Sequence, residues 1–221
     1  LLEGDRVAAL GRDEEALERL RVELHSGAAG ALRTLACDVA DEAAVTEAFA
    51  ALGPVDVLVN NAGVATAAPL ERTTLEEWEG QLAVNATGSF LCTRAAIGSM
   101  RERDRGAIVT VASTAGRVGA PYTAAYTASK HGVSGLTRTI SLDGRKYDIA
   151  CCQIDVGNAM SALAERMAKG VKQADGSVQV EPMIDVKDVA RSVLFMANQP
   201  LDVNIYHLTV MATKMPYAGR G

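Results

Sequence analysis

The sequence lacks several features that would place it in a specialised class of protein. No apolar run approaches the roughly 18 residues that a membrane-spanning helix needs, and no charged and then apolar leader opens the chain. A formal net charge of -5 argues against a nucleic-acid partner. There is no internal repeat and no low-complexity linker. Together with 221 residues that are 48% hydrophobic and 22% charged, these absences indicate one soluble, cytoplasmic domain spanning residues 1–221.

Patterns typical of metal sites and of disulfide frameworks are missing as well. The four cysteines follow neither, so we expect reduced thiols inside strands and helices. These cysteines are Cys37, Cys92, Cys151 and Cys152. The three histidines are not grouped with cysteines or carboxylates in the sequence, and we interpret them as surface or packing residues. These histidines are His25, His131 and His207. No metal is expected.

Segments typical of strands and of helices alternate along the chain. The predicted strands cover about residues 6–10, 30–38, 55–63, 106–113, 149–157 and 205–211. The predicted helices begin at Asp13, Asp41 and Thr74, and two more contain Tyr126 and Val186. Strict alternation calls for right-handed crossovers and a parallel sheet with helices on both faces. The fold class is therefore α/β, a doubly wound, Rossmann-like sheet.

The predicted helix that begins at Thr74 contains one polar residue that fits it poorly. Trp78 and Phe90 lie on its apolar stripe and are expected in the core. Asn85 lies in the middle, where its amide competes for backbone hydrogen bonds and can bend the helix. A solvated Asn85 is the simpler alternative, and the sequence leaves both interpretations open.

A second stretch of sequence indicates acid/base chemistry on an oxygen. Tyr126 and Lys130 are four residues apart, so a helix would project them from the same face. Ser113 ends a strand and would lie at the carboxyl edge of the sheet, where open α/β sheets bind ligands. A positive charge at ~4 Å is worth roughly 4 kcal/mol at an effective dielectric of ~20, so we expect Lys130 to lower the pKa of Tyr126 by up to roughly 3 units. A Tyr-x-x-x-Lys pair also occurs by chance, and alone it is weak evidence.

With these pieces located, the sequence resembles the short-chain dehydrogenase/reductase family over nearly its whole length. The motifs of that resemblance, in their expected order, are CDV at residues 37–39, NNAG at residues 60–63, Asn85, Ser113, and YTASK at residues 126–130. The resemblance implies an oxidoreductase that interconverts a ketone and a secondary alcohol by hydride transfer with NAD(P). This implied oxidoreductase is similar to 3-oxoacyl-carrier-protein reductases. Two alternatives remain open. The first is an alcohol, sugar or steroid dehydrogenase that works in the oxidative direction, and the second is a cofactor-binding relative without turnover.

The resemblance also assigns roles to individual residues. Tyr126 would be the general acid or base, and Ser113 would hold the substrate oxygen. Lys130 would lower the pKa of the tyrosine and hydrogen-bond the nicotinamide ribose, while Asn85 would keep a water that links Lys130 to solvent. The remaining implied cofactor-binding residues are Asp38 and Val39 beside the adenine, Asn61, Ala62 and Gly63 at the sheet edge, and Gly157 and Ser161 near the nicotinamide amide.

Arg12 bears on the choice of cofactor. It follows the first predicted strand, where an acid selects NAD and an arginine accommodates the 2′-phosphate of NADP. A guanidinium is a planar, permanently charged fork that suits a phosphate, so we favour NADP(H) over NAD(H). The alternative is that Arg12 is solvated and that Asp13 only caps its helix.

The sequence departs from the family pattern in two places. The glycine-rich phosphate loop is absent, since the GAAGAL segment at residues 27–32 precedes a strand, and LLEG at residues 1–4 resembles the tail of the helix that should follow such a loop. We therefore expect roughly 25 to 30 residues, a strand, a loop and most of a helix, before Leu1. Val156 stands where the family usually has proline, so the rigid residue before Gly157 is lost, while Gly157 keeps the flexible turn and Ser161 keeps a hydroxyl for the nicotinamide amide.

Two further expectations concern the surface of the protein. Residues 158–184 are a candidate mobile lid over a small carbonyl or alcohol substrate. The family is commonly dimeric or tetrameric through the helices that contain Asn85 and Tyr126, so a homo-dimer or homo-tetramer is expected. Met211 and Met215 near the end of the chain are interpreted as packing or subunit contacts.

Overall fold

The computed structural model describes residues 6–28, 32–161, 164, 170–173 and 175–217, with the backbone alone at 25–28. Residues 1–4, part of the segment 27–32 and the side chain of His25 lie outside this description. The strands are β1 Val7–Gly11, β2 Leu32–Ala36, β3 Val57–Asn60, β4 Gly106–Val111, β5 Ile149–Val156, β6 Ala159–Met160, β7 Val171–Lys172, β8 Val178–Gln179, β9 Ile184–Asp185 and β10 His207–Val210. The α-helices are α1 Glu14–Ala28, α2 Glu42–Leu52, α3 Leu75–Leu82, α4 Gly88–Glu102, α5 Ala124–Gly144 and α6 Val186–Ala197.

The main sheet has four parallel strands in the order β10-β5-β4-β3, and β1 and β2 form a separate parallel pair. The predicted α/β fold with parallel strands is therefore confirmed. Among the described strands, β1 pairs only with β2 and β3 only with β4, so nothing joins the two groups by hydrogen bonds. All carboxyl ends of the four-stranded sheet point to one edge.

The helix ends follow the capping residues in the sequence. Asp13 and Asp41 each accept backbone N–H groups at the start of α1 and α2. Thr74 begins α3 with a reciprocal pair of hydrogen bonds to Glu77. Gly53 ends α2 with a positive φ of 73°, a conformation that favours glycine. These predicted boundaries are confirmed.

The core lies on both faces of the four-stranded sheet. One cluster packs α2, α4 and α5 against β4 and β5, and a second packs α6 against the opposite face. Met100, Ile108 and Ile154 are fully buried there. This rigid centre fixes the carboxyl ends of β4 and β5, where the predicted catalytic residues lie.

Trp78 and Phe90 are not in the core. They are 36% and 43% exposed, so the prediction that both pack inside is wrong. Phe90 follows the π-helical turn Ala83–Thr87 between α3 and α4, which adds a residue to one turn, so a stripe spaced for one continuous α-helix does not stay on one face. Trp78 lies before that turn, in a helix whose buried residue is the polar Gln81. Phe90 instead packs against the guanidinium of Arg94, at 5.2 Å.

Candidate active site

The helix α5 presents Tyr126 and Lys130 to the carboxyl edge of the sheet. Lys130 is only 5% exposed, and its Nζ donates a hydrogen bond of 3.0 Å to the carbonyl of Val111 at the end of β4. The same Nζ lies 5.8 Å from the centroid of the Tyr126 ring. The predicted pair therefore shares one helix face, and the lysine is held by the sheet.

The expectation that Lys130 lowers the pKa of Tyr126 is wrong for this structure. Burial raises the pKa of Tyr126 above its ordinary value, and a hydrogen bond with Ser113 acts in the opposite direction without overcoming it. Burial also lowers the pKa of Lys130 to about 8, while the charge of Asp155 opposes that change. Removing the charged phenolate from water disfavours it, and this cost of burial outweighs the effect of Ser113.

Ser113 is placed by a tight contact between its own segment and α5. It precedes a short 3₁₀ turn, Thr114–Gly116, and its hydroxyl accepts the N–H of Ala115 at 3.2 Å. A Cβ on Gly116 would lie 2.8 Å from the carbonyl oxygen of Lys130, closer than real contacts allow. Glycine at position 116 thus lets the Ser113 turn rest directly on the turn of α5 that contains Lys130.

Asn85 is buried inside the π-helical turn and is only 1% exposed. Its amide clamps the backbone of Val64, accepting from the N–H at 2.8 Å and donating to the carbonyl at 3.0 Å. It also donates to Ser129 Oγ at 2.9 Å, and Ser129 donates to the carbonyl of Tyr126 at 2.7 Å. Asn85 lies in a π-helical turn, the solvated alternative is wrong, and the residue ties the loop after β3 to α5.

The loop after β3 is exposed to solvent and lies beside Lys130. Asn61, Ala62 and Gly63 are exposed there, while Asn60 is buried and donates to Thr93 Oγ1. A Cβ on Gly63 would lie 3.7 Å from Lys130 Nζ. The exposed backbone at Gly63 therefore lies next to the buried lysine.

Arg12 and Asp38 meet at the carboxyl ends of β1 and β2. The guanidinium Nη1 lies 3.6 Å from the Asp38 carboxylate, and the two side chains are 60% and 39% exposed. Asp38 also accepts the N–H of Ala40. Val39 packs so closely beneath Gly88 that a Cβ there would lie 2.7 Å from its side chain. The structure brings the three residues predicted for the adenine end together, and Arg12 already has an anionic neighbour.

The segment after β5 places Gly157 under the end of the chain. A Cβ on Gly157 would lie 2.6 Å from Met211 Cβ and 2.7 Å from Met215 Sδ, so the glycine is needed for packing rather than for a turn. The packing interpretation of Met215 is confirmed, since it is buried. Ser161 is partly exposed four residues later, and its N–H bonds to Ala159.

Sequence reasoning missed a buried charged cluster behind the site. Asp155 on β5 is 0% exposed and contacts Arg117 and His207. His207 Nε2 lies 2.6 Å from Asp155 Oδ2, so the interpretation of His207 as a residue without carboxylate company is wrong. A charged residue inside the apolar strand IACCQIDV was the signal that could have found this cluster.

All four cysteines are free and buried, as expected, although Cys37 follows the end of β2 and lies outside any strand or helix. Burial raises the pKa of Cys92 to about 11 and that of Cys151 and Cys152 to about 12. Within the described part of the chain no three His, Cys, Asp or Glu side chains are grouped as metal ligands would be. No helix there is long and apolar enough to cross a membrane.

Comparison with known proteins gives a family match over most of the chain. The family model described as short chain dehydrogenase matches residues 1–172. The "Inactive 2-(S)-hydroxypropyl-CoM dehydrogenase 2" of Xanthobacter autotrophicus is 35% identical over 97% of this chain and 90% of that protein. The 2-(R)-hydroxypropyl-CoM dehydrogenase of the same organism is 36% identical over 90% of this chain and 84% of that protein.

Solved structures agree with the fold. The closed form of serine dehydrogenase complexed with NADP+ superposes with a TM-score of 0.86 at 28% identity, covering 100% of this chain and 90% of that one. An NAD+-bound xylitol dehydrogenase superposes with a TM-score of 0.83 at 27% identity, covering 95% and 89%. The chain thus has the architecture of dehydrogenases solved with either dinucleotide.

Proposed function

The chain belongs to the short-chain dehydrogenase family of NAD(P)-dependent oxidoreductases, which act on secondary alcohols and ketones, and from that premise we propose that Tyr126 is its general acid and base. One observation supports this most strongly. The Ser113 hydroxyl is close enough to the phenol of Tyr126 to act on its pKa, and that phenol lies on the same helix face as the buried Lys130 ammonium. No packing role requires a hydroxyl, a phenol and a buried ammonium at one sheet edge.

In this mechanism the chain's own residues handle the proton. Ser113 holds the substrate oxygen by donating its hydroxyl hydrogen, and Tyr126 donates a proton to that oxygen as a ketone becomes an alcohol. In the oxidative direction Tyr126 accepts the proton instead. Lys130 holds a positive charge behind the phenol, and the backbone tie from Asn85 through Ser129 keeps the helix turn in place. The nicotinamide dinucleotide, when bound, supplies or accepts the hydride.

The residues present fit such a dinucleotide at its two ends. The exposed loop at Gly63 leaves room for a planar group beside Lys130, whose remaining N–H groups suit ribose hydroxyls. At the other end Arg12 offers a guanidinium to a 2′-phosphate, which supports a preference for NADP(H) over NAD(H). The residues that we propose to hold the cofactor are Arg12, Asp38, Val39, Asn61, Ala62, Gly63, Tyr126, Lys130, Gly157 and Ser161.

The pKa shifts favour reduction at neutral pH. Because burial raises the pKa of Tyr126, the phenol stays protonated and is ready to act as an acid. Oxidation needs the phenolate, which becomes available only as the pH rises. We therefore propose ketone reduction as the faster direction near pH 7.

Residues 158–184 are proposed to cover the substrate. The antiparallel hairpin of β7 and β8 places Lys172 Nζ 4.7 Å from the ring centroid of Tyr122, just before α5. Asn158 donates to the buried Glu181 at 2.7 Å, which joins the two ends of this segment. Within it, residues 162–163, 165–169 and 174 lie outside the described part of the structure.

Family members are typically oligomers, and we propose a homo-dimer or homo-tetramer through the helices that contain Asn85 and Tyr126. The exposed aromatic side chains of Trp78 and Phe90, on either side of the π-helical turn, support this arrangement because a subunit contact would cover them. Light scattering of the full chain and of Phe90→Glu tests it: a monomeric wild type would contradict the proposal.

The experiment that tests the function is a comparison of the full chain with Tyr126→Phe. NADPH oxidation is followed against a panel of small ketones, and NADPH binding is followed by nicotinamide fluorescence. Losing only the hydroxyl should lower turnover about 10²- to 10⁴-fold, the usual contribution of a positioned acid, with cofactor affinity nearly unchanged. Unchanged turnover would refute the role of Tyr126.

A cofactor-binding relative without turnover is the second candidate, and the name of the "Inactive" Xanthobacter autotrophicus relative favours it. The presence of Asn85, Ser113, Tyr126 and Lys130 together argues against it. This candidate would be selected if NADPH binds saturably but is not oxidised in the presence of any ketone, and if NADP+ is not reduced in the presence of any alcohol.

A further inference from the structure

A buried carboxylate lies directly behind the proposed active site. Asp155 is near the carboxyl end of β5 and has no exposed surface. Its Oδ2 accepts Arg117 Nε at 2.5 Å and contacts His207 Nε2 at 2.6 Å, and its Oδ1 accepts Gln153 Nε2. Every polar atom of this carboxylate is therefore engaged.

Asp155 is connected to the Ser113 turn through Arg117. Arg117 is the residue that ends the 3₁₀ turn Thr114–Gly116, and its N–H bonds back to the carbonyl of Thr114. Its guanidinium is mostly buried by the contact with Asp155. The ion pair therefore fixes the far end of the turn whose near end is Ser113.

A second connection runs to the helix turn that contains Lys130. Gln153 Nε2 bonds both Asp155 Oδ1 and Ser134 Oγ, the latter at 2.9 Å. Ser134 in turn donates to the carbonyl oxygen of Lys130 at 3.2 Å. This is a continuous chain of hydrogen bonds from the carboxylate to the backbone of the catalytic lysine.

We propose that Asp155 is a positioning residue of the active site: through Arg117 it holds the Ser113 turn, and through Gln153 and Ser134 it holds the Lys130 turn while its negative charge stabilises the lysine ammonium. The inference rests on the proposed function for its catalytic meaning. It concerns residues that none of the motifs of the family resemblance include.

The charges around Asp155 support an electrostatic role. In the described residues the charged and titratable groups near it are Arg117 from the turn after β4, His207 from β10 and Lys130 from α5, with Tyr126 beyond the lysine. The charge of Asp155 raises the pKa of Lys130 against the effect of burial. A well-packed apolar contact often stabilises a fold as well as a buried ion pair does. A residue that only packed against Arg117 would therefore need no charge and would not act on the lysine.

The test is a pH titration of Lys130 that needs neither substrate nor cofactor. The chain has six lysines, so the full-length protein labelled with ¹³C at lysine Cε gives few signals, and loss of one signal in Lys130→Met assigns it. We expect Asp155→Asn to move the Lys130 midpoint to lower pH by roughly half a unit to one unit, because a neutral amide no longer stabilises the ammonium. We expect Arg117→Gln to move it to higher pH, because the carboxylate then loses its competing cation.

Asp56→Asn is the matched control. Asp56 forms an Asp–Arg pair with Arg103 at 2.5 Å before β3, at the opposite edge of the sheet, so its loss should leave the Lys130 midpoint unchanged. Shifts of opposite sign in the two test variants support the inference, since a general disturbance of packing would not produce them. No shift, or shifts of the same sign, would overturn it.

Two further readouts keep the outcomes separate. If Asp155→Asn does not fold, as judged by circular dichroism, Arg117→Gln decides alone, and an unmoved or lowered midpoint overturns the inference. NADPH binding to the wild type is measured in parallel. Absence of NADPH binding would contradict the proposed function but leave the lysine titration valid. Normal NADPH binding and turnover, with an unmoved Lys130 midpoint, would contradict only the role of Asp155.

Discussion

The two ends of the proposed dinucleotide site are built differently. At the nicotinamide end, Lys130 and Asn85 are almost fully buried, and each is held by hydrogen bonds from other elements. At the adenine end, Arg12 and Asp38 are 60% and 39% exposed and form one loose pair on a separate two-stranded sheet. In the proposed site, the residues assigned to the chemistry are therefore fixed by many contacts, while those assigned to cofactor choice are fixed by few.

This difference makes the effects of substitution unequal. A change at the buried end must move backbone or break a network, whereas a change at the exposed end removes one contact.

Gly116→Ala should damage the buried end most. The added Cβ would lie 2.8 Å from the carbonyl oxygen of Lys130, which is backbone and cannot rotate away. We expect a stability loss of about 1–3 kcal/mol and roughly a 10²-fold fall in kcat/KM, since the Ser113 turn must shift relative to α5. Denaturant unfolding and steady-state kinetics measure both. Gly119→Ala, where a Cβ meets nothing within 4 Å, is the matched control, and equal losses in the two variants would remove the contrast.

Arg12→Ala should change affinity without touching the chemistry. Loss of a charge-assisted contact of about 1.5–3 kcal/mol would weaken NADPH binding roughly 10- to 100-fold and leave NADH binding nearly unchanged. Fluorescence titration with each cofactor measures the difference. Arg19→Ala removes a comparable exposed arginine that pairs with Glu15, and it should alter neither affinity. If NADPH and NADH weaken equally in Arg12→Ala, Arg12 does not read the 2′-phosphate.

The pH dependence of the reaction rate should depend only on the buried nicotinamide end of the site. Below about 8 Lys130 is protonated, and as the pH rises through that value the charge is lost. NADPH-dependent reduction should therefore be flat near neutral pH and then fall by up to about tenfold per unit, while oxidation rises with pH as Tyr126 ionises. Rate profiles in both directions from pH 6 to 10 measure this. A reduction rate that increases through pH 8 would contradict the assigned protonation states.

Asp38→Asn should give the smallest effect. The amide can still accept the N–H of Ala40, but it no longer holds Arg12 or repels a phosphate. We expect NADPH affinity to rise a few-fold and stability to change by less than about 1 kcal/mol, as for exposed ion pairs. The same titration and a thermal melt measure it. Weaker NADPH binding in Asp38→Asn would contradict the expected repulsion between this carboxylate and the 2′-phosphate.

The same contrast explains what could be predicted from the sequence. Local signals sufficed for the alternation of strands and helices, for the caps at Asp13, Asp41 and Thr74, and for placing Tyr126 and Lys130 on one helix face. These depend on periodicity and short-range hydrogen bonds, which the residues themselves determine.

Other features depend on tertiary packing and could not be read in this way. The π-helical turn at Asn85 interrupts the helical spacing that predicted Phe90 in the core. The direction of the Tyr126 pKa depends on burial, which a spacing argument cannot supply. The ion pairs of Asp155 join residues 38 and 52 positions away in sequence, so no local pattern indicates them.

The most direct test of the account is a titration of the full wild-type chain with NADPH, followed by nicotinamide fluorescence, beside Arg12→Ala and Lys130→Met. If the two regions bind opposite ends of one dinucleotide, the wild type saturates and each variant weakens binding independently, so that the double variant loses the sum of the two free energies. No saturable binding by the wild type, or no weakening in either variant, would contradict the shared site.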